Sequence, residues 1–294
     1  MTTLAVTGAT GQLGRHVLER LRLQAPAGTR VIACSRDPAR LADAPCDEAR
    51  QADFNDPHAV EGALSGVHRV LIVSIEGDDN MRVRAHTQAA QAARRAGVQR
   101  IVYTSFFDVD PASPSIVARV HRESEAAIRA TGCDCVLLRN GPYVENMALR
   151  VAAAAREGGV FRMPGGDAQL PYIGRDDLAA AAAAALVGPA EGQVAWRLAG
   201  PQLVSFGELC ERVGRTIQRR VRYEPMTDEE YRVELKAQGL SVDLQHRRLA
   251  YVRAMRDGFM TALTDDFERL VGRPPQPLDE VLPTLDLASG RPLH

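Results

Sequence analysis

The residues Gly8-Ala9-Thr10-Gly11-Gln12-Leu13-Gly14 carry the clearest chemical signal in this 294-residue chain. They follow the apolar run Leu4-Ala5-Val6 and precede an amphipathic stretch. Each glycine has a physical use in that setting. Gly8 permits a tight turn, Gly11 lets backbone approach a pyrophosphate, and Gly14 allows close helix–sheet packing. A helix that opens here turns free N–H groups and the positive end of its dipole toward phosphates. Gly8, Thr10, Gly11, Gln12, Leu13 and Gly14 are therefore expected to bind a dinucleotide. The spacing is G-x-x-G-x-x-G rather than G-x-G-x-x-G, so position in the chain adds to the pattern. At the end of the second strand, Cys34-Ser35-Arg36-Asp37 bears on which dinucleotide is bound. An acidic residue there bonds the ribose 2′-OH of NAD, whereas arginine accommodates the 2′-phosphate of NADP. Ser35 and Arg36 suit the phosphate, since a guanidinium binds it bidentately. Asp37, one position later, pulls the other way, and a solvated loop charge is the plain alternative for Arg36. Asp53 and Phe54 follow the third strand; Asp53 either meets the adenine amino group or caps the next helix.

What is missing is as informative. Lys236 is the only lysine among 36 basic residues, a habit that GC-rich codons also produce. The usual dehydrogenase dyad places a lysine four residues after a tyrosine, to lower the phenol pKa. No tyrosine here has that partner, and Arg232 stands four residues before Lys236. Carbonyl–alcohol chemistry by that dyad is excluded. Direct hydride transfer to a quinone makes a smaller demand, because the ring delocalises the hydroquinone anion and positioning matters more than a strong acid. A cationic dye demands less still, since hydride neutralises it. No flavin motif or metal set is visible, so the cofactor would carry the redox chemistry.

These residues need a frame. Leu4–Val6, Arg30–Cys34, Arg50–Asp53, Val67–Ser74, Arg100–Ser105 and Cys133–Leu138 read as strands. Leu13–Leu23, Met81–Ala96 and Ser115–Ala130 read as intervening helices. The alternation predicts an α/β, Rossmann-type doubly wound parallel sheet, with the cofactor at the strands' C-terminal ends. Beyond Arg139 the rhythm changes. Val144–Arg156, Arg175–Val187, Ser205–Ile217, Asp228–Ala237 and Leu249–Leu263 read as helices, the second capped near Asp176 or Asp177. Ala195–Ala199 reads as a strand, Met163–Gly166 as a turn, and Pro274–Pro277 as extended. Residues 1–140 are expected to form the cofactor-binding core, completed by parts of 168–200. Residues 141–167 and 201–294 are expected to form a smaller, mostly helical domain that covers the substrate.

Composition narrows the class. Hydrophobic residues are 45% and charged residues 25%, which is ordinary for a globular chain. The formal net charge of −1 argues against a nucleic-acid binder driven by bulk charge. Five cysteines, an odd number without zinc-site spacing, read as buried small hydrophobes in a reducing compartment. The N-terminal residues lack a basic and apolar leader pattern. The most apolar run, Leu178–Leu186, is about half the length a bilayer span needs. A cytoplasmic protein with no membrane partner, monomeric or homodimeric, is expected.

The combined pattern resembles the NmrA-like atypical short-chain dehydrogenases/reductases, and among them the type 2 NAD(P)H:quinone oxidoreductases and the triphenylmethane reductases. The resemblance rests on GATGQLG, Ser35–Pro38, Ala52-Asp53, Arg100–Ser105, His121 with Glu125, Gly272-Arg273-Pro274 and, most specifically, Leu138–Asn146. It implies NADP(H), with the glycine loop on the pyrophosphate, Arg36 on the 2′-phosphate, and Asp53 and Phe54 beside the adenine. It further implies Ser74, Ile75, Thr104 and Ser105 along the ribose and nicotinamide side, and Asn140, Gly141, Pro142 and Tyr143 near the nicotinamide. His121 stands where many members carry a lysine touching the ribose, and Pro142 where an aromatic residue is common. Polar candidates for catalysis are Tyr143, His121 and Asn140. Without the resemblance, His121 reads as an exposed helix residue and Tyr143 as packing. The implied function is an NADPH-dependent oxidoreductase that passes hydride to a quinone or similar conjugated acceptor, without flavin or metal. The alternatives are a non-catalytic NADP(H)-sensing regulator and a reductase of another aromatic small molecule.

Overall fold

The computed structural model describes residues 1–189 and 192–287. In the first half, β1 (Thr3–Val6), α1 (Gln12–Gln24), β2 (Arg30–Ser35), β3 (Glu48–Gln51), α2 (Pro57–Ala63) and β4 (Arg69–Ile72) alternate. They are followed by α3 (Asp79–Arg95), β5 (Arg100–Phe106), α4 (Ile116–Arg129) and β6 (Asp134–Asn140). The next segment holds α5 (Val144–Arg156), β7 (Val160–Met163), β8 (Gln169–Leu170), α6 (Arg175–Val187) and β9 (Gln193–Leu198). Then come β10 (Val204–Ser205), α7 (Phe206–Thr216), β11 (Arg222–Pro225), α8 (Asp228–Ala237), α9 (Val242–Arg256), α10 (Asp266–Val271) and α11 (Leu278–Val281).

The main sheet has seven strands in the order β3-β2-β1-β4-β5-β6-β9, and every pair is parallel. The strand order reverses between β1 and β4, the switch point where such sheets bind ligands. Two apolar clusters cover its faces. One packs α1 and α6 against Leu4, Val6, Leu71 and Val102. The other packs α2 and α3 against Ala5, Ile32, Val70 and Ile101. Alternate residues of β1 thus bury opposite ways, as a pleated strand between two helical layers requires. Helix α6 is alanine-rich and buried almost all round. Its last carbonyls accept from arginines: Leu186 from Arg69 at 2.7 Å, and Gly188 from Arg100 at 2.7 Å.

A third cluster joins α5, α7, α9 and α11. This second-half region is not purely helical. It also holds two small sheets, β8 with β10 and β7 with β11. Strands of two to four residues fall below the length at which alternation shows in a sequence.

Several expected boundaries shift. The third strand lies two residues earlier, at Glu48–Gln51, and α9 starts at Val242 and ends at Arg256, well before Leu263. Asp53 does not cap α2. Asp56 does, accepting from the amides of His58 and Ala59, while Asp53 accepts from the amide of Asn55 at 3.0 Å. Neither Asp176 nor Asp177 caps α6, whose N-cap is Gly174. Asp176 pairs with Arg20, and Asp177 is buried against Arg273. Cys46 is half-buried, and the other four cysteines are buried; all are free. No described helix is long and apolar enough to cross a membrane. Residues 190–191 and 288–294, included in the expected domain ranges, lie outside the described residues.

Candidate active site

The glycine loop runs from the end of β1 into α1 at the switch point. Gly8 has φ +61°, the left-handed region that favours glycine. A Cβ on Gly14 would lie 2.4 Å from the Gly8 carbonyl oxygen, so no larger residue fits without moving backbone. No side chain caps the first turn of α1, so that turn is left open to an outside acceptor. This close-fitting loop fits a pyrophosphate. Beyond β2, the Ser35 hydroxyl accepts from the Asp37 amide at 3.1 Å. Arg36 is exposed, and among the described residues its guanidinium has no hydrogen-bond or ion-pair partner. Phe54 is buried beneath the β3 end.

A cleft of about 590 Å³ opens at the C-terminal ends of β4, β5 and β6. It gathers Gln12, Leu13, Ser74, Thr104, Ser105, His121, Asn140, Gly141, Pro142 and Tyr143 from the expected site. Gly8, Thr10, Gly11, Gly14, Ser35, Arg36, Asp53, Phe54 and Ile75 do not line it; the glycine loop and the β2 and β3 ends belong to the other arm of the same sheet edge. Gly141 is also tightly fitted, since a Cβ there would meet the Leu198 carbonyl oxygen at 2.7 Å.

Beneath the cleft lies a buried polar network. Arg82 donates from Nε to the Ile75 carbonyl at 2.7 Å, and from Nη2 to Ser74 Oγ and His121 Nε2, each at 3.2 Å. A guanidinium has no lone pair to offer. His121 Nε2 must therefore accept, which places the ring hydrogen on Nδ1, facing the Tyr103 hydroxyl at 3.0 Å. The Ile75 amide donates to His86 Nε2 at 3.1 Å, so His86 also carries its hydrogen on Nδ1, 2.9 Å from Ser124 Oγ. Burial, with Arg82 adding to it, pushes His86 down to about 3 and His121 well below its ordinary value. Both rings are neutral at pH 7. Burial likewise raises the Tyr103 phenol.

His121 is thus buried rather than exposed, and its Nε2 lone pair is committed to Arg82. The Ser105 hydroxyl donates to Glu125 at 2.6 Å, and Glu125 holds Arg139 bidentately at 3.0 and 2.7 Å. Thr104 Oγ1 accepts from the Ser74 amide at 2.8 Å. These groups pin the strand ends.

Nearer the opening, Asn140 Nδ2 donates to the Tyr143 hydroxyl at 2.8 Å. Burial pushes the Tyr143 phenol up to about 12, so it keeps its proton, and that proton is free for a ligand. Among the described residues, Asn140 Oδ1 is buried without a partner. A buried amide oxygen left open beside a cleft fits a ligand donor such as a carboxamide. Arg175 stacks on the Tyr143 ring at 5.6 Å. From the second half, Tyr251 meets Phe106 at 5.8 Å, and Arg247 reaches across to Asp79 at 3.1 Å and the Gly77 carbonyl at 2.9 Å.

Arg82, Arg175, Arg247, Phe106 and Tyr251 are among the cleft residues that the sequence reading missed, with Val73, Glu76, Val117 and Asn146. Arg82 had a signal: it shares the buried face of α3 with Ala85, His86 and Ala89, and an arginine on an alanine face needs buried acceptors. Lys236 lies exposed in the last turn of α8 and does not line the cleft.

A parallel sheet with a tight glycine loop at its switch point and a covered cleft beside it defines a dinucleotide-dependent protein of Rossmann type. A family model described as NAD(P)H-binding matches residues 8–189. Quinone oxidoreductase 2 of Escherichia coli is 35% identical over 81% of this chain and 82% of its own length. An NAD(P)H azoreductase of Xenophilus azovorans is 27% identical over 92% and 93%. Triphenylmethane reductase of Citrobacter sp., solved with NADP(H), superposes with a TM-score of 0.83 at 29% identity, covering 96% of this chain and 99% of that one. An NADPH-dependent quinone oxidoreductase of Escherichia coli, solved with NADPH, gives 0.85 at 33%, covering 95% and 98%. The chain belongs to the NAD(P)H-binding family, in its NmrA-like, atypical short-chain dehydrogenase/reductase form, and is an NAD(P)H-dependent oxidoreductase. The resemblance drawn from its motifs is borne out.

Proposed function

We propose that this chain reduces a quinone or similar conjugated acceptor directly, with NADPH as donor and no flavin or metal between them. Bound in the cleft, the nicotinamide supplies the hydride. The glycine loop and Arg36 hold the phosphates, Asp53 and Phe54 flank the adenine, and Ser74, Thr104, Asn140 and Gly141 border the nicotinamide side. Phe106, Tyr143 and Tyr251 give the acceptor apolar walls.

The observation that carries this reading is the charge of the cleft. Arg82 is buried and bonded only to neutral groups, and Arg175 stacks on a phenol ring. Among the described residues neither has a carboxylate at ion-pair distance. Fixed positive charge of this kind stabilises an anion that forms during reaction, and costs no reorganisation at that moment. A reduced quinone is such an anion. The Tyr143 O–H can donate a hydrogen bond to its oxygen, and the final proton can come from water. His121 serves this scheme as a neutral acceptor that orients Arg82.

The test is NADPH oxidation on adding benzoquinones, naphthoquinones and dyes, with no flavin added, followed by stereospecific transfer from deuterated NADPH. Deuterium in the product supports the reading. NADPH binding without turnover across the whole panel overturns it and favours a sensor.

A further inference from the structure

The cleft does not end at its aromatic walls. Val117, Arg247 and Tyr251 also line a second depression of about 440 Å³, shared with Arg150, Arg248, Tyr231 and Val252. The two share these residues along the face that α9 presents to α4. The outer depression carries three arginines and no carboxylate among its lining residues. Arg150 and Arg248 are both exposed. Arg150 lies over the Phe161 ring at 5.7 Å, and its polar contact is the Met163 sulfur at 4.0 Å. Among the described residues neither Arg150 nor Arg248 has a carboxylate partner.

Most carboxylates of the surrounding elements are already held, while Asp243, one turn before Arg247 on α9, has no ion pair among the described residues. Asp79 faces Arg247, Glu123 faces Arg119, and Glu230 and Glu234 face Arg162. Asp228 faces Arg253 and Arg256. In the inner cleft, Glu76 is the acidic lining residue against Arg82, Arg175 and Arg247. Arginine thus outnumbers carboxylate along the lining of both depressions, in a chain whose net charge is −1. Composition alone does not produce that separation of sign.

From this we infer that the outer depression is an anion subsite: the acceptor is an aromatic or quinone ring carrying an anionic substituent, a carboxylate, sulfonate or phosphate, seated on Arg150 and Arg248 beside Arg247. The ring lies against Phe106, Tyr143 and Tyr251, and the anionic group points outward between α5 and α9. Cationic acceptors are disfavoured by the same charges. The inference rests on the proposed acceptor reduction and narrows its substrate class.

Three naphthoquinones test it, identical except at the end of a short saturated chain that bears a carboxylate, its methyl ester or a trimethylammonium group. The saturated spacer keeps their ring potentials alike. The expected order of kcat/KM is carboxylate, then ester, then ammonium, with steps of roughly three- to ten-fold at low salt. The steps shrink as salt shortens the Debye length. The double variant Arg150→Ala/Arg248→Ala should level the ratio of carboxylate to ester, and Arg248→Glu should invert it. Both side chains are exposed, so folding is checked simply by Tm. Equal kcat/KM for the three compounds, or an unchanged ratio in the folded variants, overturns the subsite. If none of the three is reduced, the proposed reaction fails, and calorimetry on the NADP-loaded protein still decides the subsite. Tighter Kd for the carboxylate than for the ester upholds it, and equal Kd values overturn it.

Discussion

The two arms of the sheet edge solve opposite problems. At the proposed phosphate arm, the groups offered are backbone and one exposed guanidinium. Gly8 and Gly14 leave no room for side chains, and among the described residues the exposed Arg36 guanidinium has no partner. At the proposed reaction arm, the groups beneath the cleft are buried side chains that are already paired. Arg82, His121, Tyr103, His86 and Ser124 hold one another before any ligand arrives. An exposed arginine is cheap to keep, and gains its partner only on binding. A buried arginine costs desolvation from the start, so its acceptors must be supplied by the fold.

The contrast can be broken most severely at Gly14. Gly14→Val should cost about 3 kcal/mol of stability through overpacking against the Gly8 carbonyl, and remove NADPH binding, read by urea unfolding and calorimetry. Full binding in this variant would mean that the loop is not the tight cradle described. Next comes Arg36→Ala. A charge-assisted bond contributes about 1.5–3 kcal/mol, so Kd for NADPH should rise roughly ten- to hundred-fold while Kd for NADH stays nearly constant. Equal losses for both cofactors would remove the 2′-phosphate role.

The reaction arm is tested by pH. His86 and His121 have depressed pKa values in the folded protein, so the unfolded chain binds more protons as pH falls below about 6.5. Their contribution is complete above that pH and is lost progressively toward the folded value, about 3 for His86. Each contributes a slope of up to about 1.4 kcal/mol per pH unit in that window. Urea midpoints should drop between pH 7 and pH 5. A flat profile would show that the rings are charged or open to water. The smallest effect belongs to the tie between the arms' cover and the sheet. Arg247→Ala removes the link from α9 to Asp79 and Gly77, and should cost about 1 kcal/mol or less in stability. KM for the acceptor should rise more than kcat falls. An unchanged KM would detach α9 from the cleft.

How much of this was legible follows from the range of the forces involved. Helices α5, α6 and α8 match the sequence reading at both ends, because turn residues and periodicity mark them locally. The glycine loop was readable for the same reason: a turn, a close approach and a helix start are all set within seven residues. The small sheets of the second half were not, since each strand pairs with a partner far along the chain and is too short to show alternation. Residue type leaves Asp53 either an adenine partner or a cap; three residues on, Asp56 has the geometry for the cap.

By itself the sequence determined the Rossmann sheet, the dinucleotide loop, the loss of the tyrosine–lysine dyad and the family. These depend on local spacing or on residues that are simply absent. Only the tertiary structure decided that His121 is a neutral, committed acceptor, that Arg82 is the buried charge behind the cleft, and that Arg150, Arg247 and Arg248 line a second depression beside it. Those facts arise where β4, β5, α3, α4, α5 and α9 converge, between residues up to 170 positions apart. Burial and hydrogen-bond partners across such distances are properties of the packed chain, and no local pattern encodes them.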